Sequence, residues 1–145
     1  MNSALELLLS QLGRDARHSP SPVMRWLNPI LLQAAEGALE LKYTVRPEWL
    51  NPVGILHGGI SAAMVDDAIG ATIYSLGDTH FYVTLNNYID YFAPAKEGEV
   101  VIAVTGITRR GKTLVAAWCE LWNADRTTLL VKGSSNLLKT AQAKS

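Results

Sequence analysis

Hydrophobic and polar positions alternate from Ala38 onward: Leu39, Leu41, Tyr43 and Val45 are interleaved with Glu40, Lys42 and Thr44. This is the period of a strand with one buried face, and the preceding ILLQAAEG supplies a hairpin partner that turns at Gly37. The period breaks at Gly59. From Gly59 to Ser75 the residues Ile60, Ala62, Ala63, Met64, Val65, Ala68, Ile69, Ala71 and Ile73 point in nearly every direction round a helix axis, and a helix apolar all round is normally buried. Four strand-like runs follow, FYVTLNNYIDY, EVVIAVTGITR, KTLVAAWCELW and TTLLVKGSSNLL, joined by the short segments APAKEG, RG and NADR, which are hairpin-length connections. Upstream, ALELLLSQL predicts a short helix that docks by its leucines, and SPSPVMRWLNP a connector punctuated by Pro20, Pro22 and Pro29. The order predicts an α+β domain in which an antiparallel sheet wraps one long central helix.

A chain of 145 residues suits one such core. The pattern divides it into an N-terminal helix and connector over residues 1–30, a main domain over 31–140 and a tail over 141–145. Thirteen basic residues balance thirteen acidic ones, so the chain has no general attraction for a polyanion, which argues against a dedicated nucleic-acid binder. The single cysteine, Cys119, forms no internal disulfide and fits a reducing compartment, so a cytoplasmic location is expected. The N-terminus lacks the basic and apolar regions of a secretory signal, and no run approaches the roughly 20 apolar residues of a membrane span.

GITRRGKT, Gly106 to Thr113, matches the phosphate-loop pattern G-x-x-x-x-G-K-[ST] letter for letter. That motif works only where a strand turns into a helix whose first N–H groups face a phosphate. Here TLVAAWCELW follows, an alternating run rich in β-branched and aromatic residues, which is a strand signal. Arg110 and Gly111 are therefore expected at a hairpin tip. Arg109, Arg110 and Lys112 still make a local basic cluster that suits either a solvated turn or phosphate recognition.

Chemistry points to LNPVGILHGGISAAMVDD, where Asn51, Gly54, His57, Gly58 and Gly59 lead directly into the apolar helix. Unpaired N–H groups at a glycine-rich helix start can hold an oxyanion. Asp66 and Asp67 then fall in the middle of that helix, where a carboxylate is costly unless it is paired, hydrogen-bonded or functional. Spacing alone does not say which of the two lines a cavity. Gly58 and Asp66 are about 12 Å apart along the axis, too far to meet at one carbonyl carbon, so the pattern suggests two copies with antiparallel helices and composite sites. His18, His57 and His80 have no metal-ligand spacing with Cys119, which is expected to be a packed strand residue, and no G-x-S-x-G elbow is present.

These residues resemble the PaaI-like hotdog-fold acyl-CoA thioesterases, through NPVGILHGG followed by Asp66, through YFAPAK, and through the RRGKT turn, over about residues 35 to 138. The resemblance implies that Asp66 attacks a thioester or activates water, that the Gly58 N–H from a partner subunit holds the thioester oxygen, that Asn51 orients water or carbonyl, that His57 braces the loop, and that Thr84 stands near the carboxylate. It also places Tyr91, Phe92, Ala93, Pro94 and Lys96, with Arg109, Arg110, Gly111 and Lys112, along a coenzyme A groove. The implied protein is a homo-oligomer, a dimer or dimer of dimers, that takes acyl-CoA as substrate and needs neither metal nor separate cofactor. A hotdog hydratase and a non-catalytic acyl-CoA binder are the rival readings.

Overall fold

The computed structural model describes residues 1–144. Its elements are α1 (Ser3–Ser10), α2 (Pro22–Leu27), β1 (Ile30–Ala35), β2 (Ala38–Thr44), α3 (Gly58–Tyr74), β3 (His80–Tyr91), β4 (Val100–Arg110), β5 (Leu114–Asn123) and β6 (Leu129–Ala143), with a single 3₁₀ turn at Pro47–Trp49. All six strands form one sheet in the order β1-β2-β4-β5-β6-β3, and every neighbouring pair is antiparallel. The expected α+β architecture, a sheet curled round a long helix, is the one observed.

The central helix buries Ser61, Met64, Val65, Ala68, Ile69, Thr72 and Ile73, a spacing of three and four that defines one face. Against it pack Tyr43, Val101, Ala103, Val115, Ala117, Cys119 and Leu121 from the strands. The helix is therefore not surrounded, as its composition suggested: Asp66 and Ala63 are half-buried and Gly70 is exposed. Helix and sheet approach closely at Gly133 of β6, where a Cβ would lie 2.5 Å from Val65 Cγ1. Only a glycine lets β6 pass there.

Gly37 turns the β1–β2 hairpin with a φ of +78°, and its N–H donates to Ser75 Oγ at 2.8 Å, tying the hairpin to the end of α3. GITRRGKT runs from β4 through a tight turn, closed by Gly111 N–H donating to the Leu114 carbonyl at 2.7 Å, into β5. No helix follows it, so the phosphate-loop spelling has no phosphate-loop geometry.

Two boundaries differ from the sequence pattern. The proline-punctuated connector contains α2, which starts with Pro22 at its first position and with Ser21 Oγ accepting from Met24 N–H; proline favours that helical position. Its Leu27 belongs to the main core. At the other end, β6 continues to Ala143, which pairs with His80, so the boundary drawn at residue 140 falls inside a strand. Residue 145 lies outside the described residues.

Candidate active site

The helix α3 begins at Gly58, with His57 as its N-cap. His57 Nδ1 accepts from the Gly59 N–H at 2.9 Å, while the Tyr91 hydroxyl donates to the Gly58 carbonyl at 2.6 Å. The Gly58–Gly59 peptide is thus held at both ends, and the Gly59 N–H is withdrawn from any ligand. The Gly58 N–H has no acceptor among the described residues, which leaves it to polarise an incoming oxygen. Tyr91, expected in a coenzyme A groove, also stacks its ring 3.4 Å from the position a Gly58 Cβ would take.

Asn51 holds its own turn: its Oδ1 accepts from the N–H groups of Val53 at 3.1 Å and Ile55 at 3.2 Å. Its acceptor is therefore committed, and only the Nδ2 donor is left for a ligand. Asn51 and Gly58 line a cavity of about 350 Å³ together with Tyr91, Phe92, Ala93 and Pro94. Lys96 is exposed beside it, bridged through its backbone to Ile55.

The carboxylate lies elsewhere. Asp66 Oδ1 accepts from Thr84 Oγ1 at 3.0 Å and from Asn87 Nδ2 at 3.2 Å, and the Ser135 hydroxyl donates to Asn87 Oδ1 in turn. One oxygen of Asp66 is fixed by two donors and Oδ2 has no hydrogen-bond partner among the described residues. Thr84 thus stands where the resemblance implied. Asn87 and Ser135 are additions, and a β-bulge explains why periodicity misses the first. Thr84 pairs with Leu137, Asn86 with Asn136 and Asn87 with Ser135, so Leu85 is an extra residue that puts Thr84 and Asn87, three apart, on one face. A strict period of two from Thr84 would have selected Asn86. The readable signal was the pair of polar interruptions Asn86–Asn87 and Ser134–Ser135 inside otherwise strand-like runs.

Asp66, Thr84 and Asp67 line a second cavity of about 940 Å³. Asp67 turns its Oδ2 into the protein, where that atom is buried without a partner. Burial, opposed by the Ser21 hydroxyl at 3.4 Å and aided by the nearby Asp66 charge, pushes its carboxyl up to about 6. The two adjacent aspartates are therefore different groups: Asp66 faces hydrogen-bond donors and solvent, Asp67 faces the core. Cys119 is fully buried, and burial pushes its thiol up, which makes it unfit as a nucleophile at neutral pH. Among the described residues no group of three His, Cys, Asp or Glu is placed to hold a metal ion.

Within one chain the two halves of the expected site stay apart, the Gly58 half in the smaller cavity and the Asp66 half in the larger. The expected coenzyme A residues divide in the same way. Arg109, Arg110, Gly111 and Lys112 sit at the far end of β4 from the smaller cavity, which Val101 lines, roughly 30 Å away along the strand. Register puts the tip on the carboxylate side instead, since Arg110 pairs with Val115, Val115 with Leu137, and Leu137 with Thr84. Arg110 also lies 3.5 Å from Glu36.

A family model described as the thioesterase superfamily matches residues 53–130. Acyl-coenzyme A thioesterase 13 of Homo sapiens is 30% identical over 103 residues, which cover 71% of this chain and 74% of that protein. The E. coli PaaI protein from the phenylacetic acid degradation operon shares the fold with a TM-score of 0.83 at 17% identity, over 99% of this chain and 100% of that one. A hypothetical thioesterase from Streptococcus pneumoniae, crystallised with coenzyme A, superposes with a TM-score of 0.74 at 22% identity, over 81% and 89%. No helix among the described residues is long and apolar enough to cross a membrane. This chain belongs to the thioesterase superfamily, as a PaaI-like hotdog thioesterase.

Proposed function

We propose that the protein hydrolyses acyl-CoA thioesters at sites shared between two copies of the chain. The observation that carries this reading is the Asp66 carboxylate, half-buried at the edge of a large cavity with one oxygen fixed by Thr84 and Asn87 and the other available. In this reading Asp66 Oδ2 takes a proton from water as the water oxygen adds to the thioester carbon, or adds to that carbon itself. The carbonyl oxygen becomes an oxyanion, held by the Gly58 N–H of a second copy. Collapse breaks the carbon–sulfur bond: in the water route the thiolate of coenzyme A takes up the proton that Asp66 accepted and a free acid remains, whereas in the direct-attack route a mixed anhydride remains, water opens it to release the acid and restore Asp66, and the proton from that water goes to the thiolate. Neither route calls for a metal or a resident cofactor, since the chemistry is acyl transfer to water, and coenzyme A enters as part of the substrate.

The separation of the two half-sites supports the assembly. Antiparallel apposition of two α3 helices would bring the Gly58 end of one to the Asp66 of the other, and with it the Tyr91–Lys96 segment to the basic tip of residues 109–112. The edge strand β3 supports it too. Its outer side is unpaired in the sheet, and it exposes Phe81, Val83, Leu85 and Tyr88; a long apolar edge is a surface that proteins cover. The assembly is proposed as a dimer or dimer of dimers. The unpaired Cys119 supports work in a reducing compartment such as the cytoplasm.

The test is thiol release from a panel of acyl-CoA substrates. Asp66→Asn should lower kcat by ~10² or more with the assembly intact by size-exclusion, and near-normal turnover would sink the assignment. Hydration of crotonyl-CoA without thiol release would identify a hydratase instead. Tight acyl-CoA binding without any turnover would identify a carrier. Incorporation of ¹⁸O from labelled water into the aspartate during single turnover separates direct attack from general base.

A further inference from the structure

Among the described residues the buried polar side chains are Ser61, Thr72, Ser75, Thr105 and Ser135. All but the first are hydrogen-bonded within the protein. Thr72 Oγ1 donates to the Ala68 carbonyl at 2.8 Å and meets Thr105 Oγ1 at 2.6 Å, Ser75 Oγ accepts from the Gly37 N–H at 2.8 Å, and the Ser135 hydroxyl donates to Asn87. Ser61 is 3% exposed, yet its hydroxyl has no hydrogen-bond partner among the described residues and lines the smaller cavity instead. A buried hydroxyl left unpaired is destabilising, so the unliganded fold gains nothing from this one.

Ser61 is the fourth residue of α3, and Leu56 immediately precedes the N-cap His57. A hydrophobic staple commonly joins those two positions. Here the helix side of the staple is a hydroxyl, and both residues line the cavity of about 350 Å³. A helical side chain leans toward the N-terminus and covers the turn before its own, so the Ser61 side chain overlies the first turn, where the Gly58 N–H is free. Asn51 brings its uncommitted Nδ2 to the same cavity. The deeper wall is apolar, formed by Val101, Leu121, Leu130 and Val131. Three unpaired donors thus meet in one largely apolar space, an environment that favours an oxygen gaining negative charge.

Resting on the thioesterase reading above, we infer that Ser61 is a further catalytic residue, whose hydroxyl donates to the thioester oxygen beside the Gly58 N–H. Both hydrogen bonds strengthen as that oxygen becomes an oxyanion. The hydroxyl keeps its proton throughout and acts neither as nucleophile nor as acid.

Ser61→Ala deletes the hydroxyl and keeps its Cβ. No hydrogen bond within the protein is lost, so the variant should melt no lower than wild type, while kcat for hexanoyl-CoA should fall by about 10². An active wild type whose Ser61→Ala variant keeps kcat within threefold would overturn the role of Ser61 alone. Calorimetry with two thioethers of coenzyme A that cannot be hydrolysed reads the contact without turnover: one carries a ketone on the carbon next to the S-methylene, the other a plain alkyl chain of equal length. Ser61→Ala should weaken the ketone by about tenfold and leave the plain thioether unchanged. Equal weakening of both would place Ser61 on the coenzyme portion, and no weakening of either would leave it a passive wall; each overturns the inference. Selective weakening of the ketone in a protein that releases no thiol would uphold the donor and refute the hydrolytic reading alone.

Discussion

Replacing Gly58 by proline would delete a single hydrogen from the site. Gly58 is the first residue of α3, the helical position at which proline is favoured because its N–H has no intrahelical partner. The preceding His57 has φ −63° and ψ 134°, within the extended region that a residue before proline adopts. A Cβ at position 58 meets the Tyr91 ring at 3.4 Å, ordinary van der Waals contact. The backbone therefore accepts Gly58→Pro, and what it loses is the proposed oxyanion donor. Removal of one such donor lowers kcat by about 10²–10³, or roughly 3–4 kcal/mol of transition-state stabilisation. Gly58→Ala keeps the N–H and adds the same Cβ, so it should retain wild-type kcat to within about threefold. The assay is steady-state thiol release beside thermal melting at fixed protein concentration. A folded Gly58→Pro with kcat close to that of Gly58→Ala would refute the donor role; equal losses in both would move the cause to the added carbon.

Three further outcomes follow from the same geometry. Asp67 has a folded-state carboxyl pushed from 3.8 to about 6, so the fold retains its proton longer than the unfolded chain and its ionisation removes stability as pH rises from about 4 to 6, by up to about 3 kcal/mol above that range. Asp67→Asn should therefore raise stability by roughly 1–3 kcal/mol at pH 7, less at pH 4, and keep its kcat, as urea melts at several pH values and the thiol assay would show. Tyr91→Phe removes one neutral hydrogen bond to the Gly58 carbonyl, about 1 kcal/mol, and should lower kcat roughly fivefold with KM little changed; a change confined to KM would assign Tyr91 to substrate binding. Gly133→Ala forces a methyl group into Val65 and should cost about 1–3 kcal/mol of stability, measured by denaturant midpoint, whereas an unchanged midpoint would mean that α3 lifts from the sheet without penalty.

Much of the fold was legible because its period is simple. Alternation in GALELKYTV and in the four later runs gave the strands, and the dense apolar stretch after Gly58 gave the central helix. The phosphate-loop spelling was discounted by the alternation in TLVAAWCELW, and the β4–β5 hairpin agrees. Asp66 stood out as a carboxylate in an apolar helix, and the resemblance put Thr84 beside it. What stayed hidden depends on register and on long-range contact. The bulge at Leu85 is a property of two paired strands, so Asn87 could not be selected from β3 alone. Nothing local to Tyr91 reveals that its hydroxyl reaches the Gly58 carbonyl. The N-terminal segment reaches partners 40 or more positions away, as in the Ser21–Asp67 and Asn2–Ser75 contacts, and its place beside the carboxylate emerges only once the chain has folded.

The confinement of Gly58 and Asp66 to separate cavities gives the assembly a genetic property. If each site takes its donor from one copy and its carboxylate from the other, a chain carrying Asp66→Asn and a chain carrying Gly58→Pro are each inactive alone. A hybrid of the two places both lesions in one site and leaves the other site whole. Random exchange yields half hybrids, each with one working site of two, so the mixture should regain about a quarter of wild-type activity. Two dead proteins would complement one another in a tube, and their failure to do so after verified exchange would place the whole site within a single chain.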